Sequence, residues 1–168
     1  MAPNLSLSST IKLSVILMLA MFSFTTAREI KLPALFFQND PATRILVAGP
    51  RDYRFGTINI LDNRITAGKS RFSREIGRVQ GANITSSLDG RKAVIEVSII
   101  FTSGKYNGST LELQGQASPR ADVREYAVTG GTGKFRFAVG YAVFETVARD
   151  AQYSVDRGDI TVRFVENL

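Results

Sequence analysis

Lys92–Thr102 reads Lys-Ala-Val-Ile-Glu-Val-Ser-Ile-Ile-Phe-Thr. Ile95, Val97, Ile99 and Phe101 take every second position, with Glu96, Ser98 and Ile100 between them. Period two predicts a strand, because successive side chains leave a pleated backbone on opposite faces. Outward from this stretch the pattern repeats. Over Lys134–Phe144, Phe135, Phe137, Val139, Tyr141 and Val143 fall on one face, and Arg136, Ala138, Gly140 and Ala142 on the other. Leu111 and Leu113 continue it, as do Tyr153, Val155, Ile160, Val162 and Phe164. Between these runs stand Asp62-Asn63, Asp89-Gly90, Asn107-Gly108, Gly130-Gly131-Thr132-Gly133 and Arg157-Gly158-Asp159. Asp-Gly and Asn-Gly supply the positive φ that tight hairpins require. Nothing after Ala27 carries a helical stripe, so the chain is all-β.

Roughly seven to nine short strands with hairpin signals between them predict an antiparallel barrel or a sandwich. The barrel is preferred, because closure removes the exposed edges that invite aggregation. It also leaves a mouth for one ligand. No linker or repeat divides the chain, so one domain is expected over 28–168.

The first 27 residues read as an address. Lys12 precedes the apolar run Leu13–Phe24, and Thr25-Thr26-Ala27 offers small residues for cleavage. That is the pattern of a secretory signal peptide, and the run is too short to span a bilayer. A secreted protein is expected, with no membrane segment. Two sequons, Asn83-Ile84-Thr85 and Asn107-Gly108-Ser109, mark Asn83 and Asn107 as possible glycan sites.

The 168 residues include no Cys and no His. This excludes disulfides, thiolate nucleophiles, Ser-His-Asp triads and the usual zinc sites. No metal or cofactor is expected, and any acid–base chemistry falls to carboxylates, Tyr or Lys. The balance is 21 Lys+Arg against 15 Asp+Glu, a net +6 without a basic run. Nucleic-acid binding therefore has little support. The glycine run ending at Lys134 is not a phosphate loop: Val128 stands where the first glycine belongs and Phe135 where Ser or Thr belongs.

Two charged residues stand out. Asp40 ends the strand-like Ala34–Asp40, just before Pro41, and Arg124 opens the strand ahead of the glycine run. A carboxylate at the end of an apolar strand can act as a general acid if burial raises its pKa. The alternative makes Asp40 a turn cap and Arg124 a surface charge.

Taken in order, several motifs resemble the plant dirigent family. They are Phe55-Gly56-Thr57-Ile58, Gly77-Arg78-Val79-Gln80-Gly81, Tyr106-Asn107-Gly108-Ser109-Thr110-Leu111, Arg124-Glu125, Gly130-Gly131-Thr132-Gly133 and Gly140-Tyr141-Ala142. The resemblance runs from about Phe36 to Phe164. It implies a secreted, eight-stranded antiparallel β-barrel that assembles as a trimer or dimer. It also implies a non-oxidative role in phenylpropanoid metabolism. A separate laccase or peroxidase would supply phenoxy radicals, such as those of coniferyl alcohol, and the pocket would set the regio- and stereochemistry of their coupling. Related members instead dehydrate an isoflavanol through a quinone methide, and a cell-wall binding role with a degenerate site is a further alternative. By the same resemblance Asp40 holds the acid position and Arg124 the arginine ahead of the glycine turn. Asn39 replaces a His, Ala117 a second acid and Val139 an Arg. Tyr106 and Tyr141 are candidates to contact phenolic oxygens.

Overall fold

Strands form where the period-two pattern runs, and all of them join one antiparallel sheet. The computed structural model describes residues 27–51 and 54–165. The leader expected over 1–27 lies outside them, except for Ala27, where the first strand begins. The strands are β1 (Ala27–Lys31), β2 (Leu35–Asn39), β3 (Arg44–Ala48), β4 (Ile58–Thr66), β5 (Glu75–Thr85), β6 (Ala93–Phe101), β7 (Thr110–Ala117), β8 (Val123–Thr132), β9 (Val139–Arg149) and β10 (Ser154–Val165). Among the described residues, no helix is long and apolar enough to cross a membrane.

From β4 to β10 the chain is a meander in which each strand pairs with the next. The N-terminal path closes it. β1 and β2 pair with β10, while β2 and β3 pair with β4. β1 to β3 thus fill one strand position in three pieces, and the result is a closed eight-stranded antiparallel β-barrel. The breaks fall at Pro33 and at Asp40-Pro41, where proline has no N–H to give to a ladder. Only the five residues of β2 bridge both neighbours.

Alternation decides what the interior holds. Leu35, Phe37, Leu61, Ile65, Val79, Val97, Ile99, Phe101, Leu111, Leu113, Tyr126, Val128, Phe144, Ile160 and Val162 form one buried cluster. Its lower end is sealed. The glycine run carries β8 into a turn of 3-10 helix, Gly133–Phe135, which places the Phe135 ring in the barrel axis at 0% exposure. Phe135 packs on Phe101 and Tyr106 with ring centroids 5.4 and 4.8 Å away. Gly133 has φ +60°, and a Cβ there would sit 2.6 Å from Ser109 Oγ, so both conformation and space call for glycine. Each large side chain buried this way contributes about 1.5–3 kcal/mol.

The faces of 134–144 differ from the sequence expectation. The turn and the positive φ of Phe137 interrupt the alternation, and β9 starts only at Val139. Ala138 and Ala142, both at 0% exposure, point inward with Phe144, while Val139 and Tyr141 point out. A one-residue interruption exchanges the two faces of a strand.

Candidate functional site

The other end of the barrel is open. Its floor is aromatic and aliphatic: Phe37, Leu61, Val79, Val97, Tyr126 and Phe144 line a cavity of about 220 Å³. Phe37 and Phe144 pack with ring centroids 4.7 Å apart at a tilt of 58°, and Tyr126 meets Phe144 edge-on at 5.6 Å. Gly158 makes this possible, since a Cβ there would fall 2.5 Å from the Phe37 ring. Among and above these residues the inward positions include polar side chains. They are Asn39 on β2, Asn63 on β4, Asn83 on β5, Arg124 on β8, Thr146 on β9 and Asp156 on β10.

Arg124 and Asp156 are an ion pair across this wall, at 2.8 Å, with side chains 8% and 16% exposed. Charges this shielded from water persist only when paired and hydrogen-bonded. Asp156 also accepts from Thr146 Oγ1 at 2.7 Å and from Asn39 Nδ2 at 2.9 Å. Arg124 donates further to the Ala121 carbonyl and to Thr146 Oγ1. A relay of donors leads to the carboxylate: Thr43 to Asn63, Asn63 to Asn39, Asn39 to Asp156. The amide at Asn39 suits its place. A carboxylate there would repel Asp156 and force one of the two to hold a proton. Burial pushes the Tyr126 phenol above its ordinary range, so it stays a neutral hydroxyl in the cavity. The arrangement is a hydrophobic slot for a planar ring, with a guanidinium and a buried hydroxyl at its wall. Such groups favour a phenol whose oxygen gains negative charge.

The residues singled out in the sequence are dispersed. Arg124 lies in the cavity wall. Asp40 lies outside the cavity: β2 sends Leu35, Phe37 and Asn39 inward, so the next side chain points out. Its carboxylate caps the turn Pro41–Thr43, accepting from Ala42 N at 2.9 Å. Tyr106 is part of the plug at the closed end, and Tyr141 is 47% exposed on the outer face of β9. Asn107 is exposed at a hairpin tip, where a glycan has room. The Asn83 side chain lines the cavity, so a glycan there would occupy the mouth. Asp156 and Tyr126 were not expected in the site, while Asn39, expected only as the replacement of a family His, lies in its wall. For Asp156 the signal existed, because it keeps even spacing with Gly158, Ile160 and Val162 along β10.

The barrel is thus sealed at one end and carries a charge pair over an aromatic floor at the other. The chain belongs to the dirigent-like protein family, whose profile matches residues 35–164. Dirigent protein 21 of Arabidopsis thaliana is 31% identical over 126 residues, which are 75% of this chain and 62% of that protein. Pterocarpan synthase 1 of Glycine max is 34% identical over 135 residues, 79% of this chain and 67% of the relative. The solved structure of the pterocarpan synthase dirigent protein PsPTS1 superposes with a TM-score of 0.74 at 29% identity, covering 83% of this chain and 97% of the other. The matches to Arabidopsis dirigent proteins 21 and 1 each span 62% of those relatives' length.

Proposed function

We propose that the barrel cavity binds a phenolic substrate and directs the stereochemistry of a bond formed by a reactive intermediate derived from it. The observation that carries this reading is the Arg124–Asp156 pair set in the wall of a slot with an aromatic floor. In the first form of the reading, a separate laccase or peroxidase removes an electron and a proton from each phenol. The cavity then presents one face of the phenoxy radical for coupling. Arg124 stabilises charge on the phenolic oxygen, and Asp156 holds the guanidinium in place. The chemistry is orientation, and a difference of about 1.4 kcal/mol between competing transition states gives tenfold selectivity. Asp156, rather than Asp40, is the carboxylate in the cavity wall, and as the ionised partner of Arg124 it positions charge rather than donating a proton.

A second form is favoured by the likeness to pterocarpan synthases. Here one molecule loses water to give a quinone methide, and an internal hydroxyl closes the ring. The phenolic proton leaves, the departing hydroxyl gains a proton and goes as water, the ring-closing hydroxyl gives up its proton as the phenolic oxygen regains one, and no electrons are exchanged. Ala117 suits a site that handles one such centre, since no second acid stands there. In either form we read the protein as exported through the leader at 1–27 and as acting in a homo-oligomer outside the cell.

Chiral chromatography separates the two forms. Coniferyl alcohol coupled by a laccase, with and without the protein, gives enantiomeric excess only with the protein under the first. Isoflavanol turnover without any oxidase marks the second. Racemic products and no turnover would reject both.

A further inference from the structure

Beside the cavity a second cleft of about 420 Å³ opens at the barrel mouth, sharing Asn39, Arg44, Arg149 and Ser154 with it. Two of these are exposed arginines, Arg44 at the start of β3 and Arg149 at the end of β9. None of the ion pairs among the described residues uses Arg44 or Arg149. The same cleft is lined by Asn59, only 4% exposed, whose Nδ2 is buried with no hydrogen-bond partner. A buried amide donor without an acceptor is uncommon in a folded protein and calls for one. The two carboxylates of the cleft are turned onto their own loops. Asp40 accepts from Ala42 N, and Asp150 from Gln152 N and Tyr153 N. Two cationic donors therefore face space that is continuous with the phenol slot, and the Asn59 amide lies in the wall behind it, its Nδ2 lacking an acceptor.

We propose that this cleft binds a carboxylate carried by the substrate itself, so that the preferred ligand is a phenolic acid and not a neutral phenolic alcohol. The inference rests on the reading of the cavity as a phenol site. With the ring on the Phe37–Phe144 floor, the far end of the side chain points out of the mouth. There Arg44 and Arg149 supply charge-assisted hydrogen bonds, which are the stronger kind, and Asn59 the missing partner.

Calorimetric titration with ferulate and with coniferyl alcohol tests it, because the two share a ring and differ in the carboxylate. Ferulate is expected to bind about tenfold more tightly at low salt, with the preference shrinking as salt screens the exposed arginines. Arg149→Gln should reduce the preference to about two- to threefold, and Arg149→Lys should keep more of it. Asn59→Leu should also lower it while holding or raising the melting temperature, which a purely structural asparagine would not do. Equal affinity for the two ligands, or a preference that neither variant changes, overturns the inference and leaves the cavity reading standing. Acetate that binds as tightly as ferulate and does not compete with coniferyl alcohol assigns the cleft to a free anion and overturns it too. Failure of both phenols to bind overturns the inference together with the radical-coupling form of the cavity reading.

Discussion

The two ends of the barrel are made by the same alternating strands, and they differ in what the alternation delivers. At the closed end, inward positions hold Leu35, Ile65, Ile99, Phe101, Leu111, Ile160 and Val162, with Phe135 as the stopper. At the mouth the same strands deliver Asn39, Asn63, Arg124, Thr146 and Asp156. One end is stabilised by burying apolar surface, the other by satisfying polar groups taken out of water. The lesson is a division of labour along β2, β8, β9 and β10. On these strands the inward residues toward one end hold the fold and those toward the other are free to specify chemistry, while the inward face of β6 stays apolar from Phe101 to Ala93. It also explains how a chain without cysteine tolerates a buried ion pair beside a cavity.

The sharpest way to break this comparison is at the stopper. Phe135→Ala should lower stability by about 3–5 kcal/mol, as for other large-to-small core changes. Denaturant unfolding measures it, and product selectivity at low temperature should survive in the fraction still folded. At the mouth, Arg124→Gln leaves Asp156 without its cation and should cost about 2–3 kcal/mol, less than for a pair in a dry core because the cavity admits water. The double change Arg124→Leu with Asp156→Leu should recover much of that stability but none of the selectivity. Full selectivity in the double variant would remove the pair from the mechanism.

Gly158→Ala joins the two regions, since its Cβ displaces the Phe37 ring from the cavity floor. A loss of about 1–3 kcal/mol is expected, together with an altered product ratio. Asn39→Asp sets a carboxylate within hydrogen-bond distance of Asp156. One of the two should then titrate about one to two units above the usual carboxylate range, a loss of about 1.4–2.7 kcal/mol at neutral pH. Because the folded pKa is raised, stability should be retained below the ordinary value near 3.9 and lost as pH rises through the new one. A melting temperature that falls less on acidification than the wild type's, or rises, is the expected record, since Asp62, held below its usual range by Arg78, costs both proteins stability as pH falls. The smallest effect belongs to Asp40→Asn. Asn caps a turn about as well as Asp, so a change within about 0.5 kcal/mol and unchanged products are expected. A loss of selectivity there would return the acid's role to Asp40.

Much of the architecture could be read without the structure. The alternation in Lys92–Thr102 names β6, and the hairpin signals at Asp89-Gly90 and Asn107-Gly108 fall at its two ends. Arg124 was legible as an unusual charge, although its partner was not. Asp156 is 32 positions further on in the sequence, and only the pairing of β8 with β9 and of β9 with β10 brings the two together. The case of Asp40 is more local. It stands next to Asn39 at a proline break, and composition alone does not say which neighbour the pleat turns inward.

The sequence by itself determined the periodicity, the turns and the absence of thiol and imidazole chemistry, because these depend on residue type and local spacing. Tertiary structure decided which face of each strand is the inside, which end of the barrel is plugged, and which charges meet across it. Those outcomes depend on closure. A five-residue strand pairing on both sides turns a sheet with two faces into an interior and an exterior, and only then does a side chain's parity acquire a meaning.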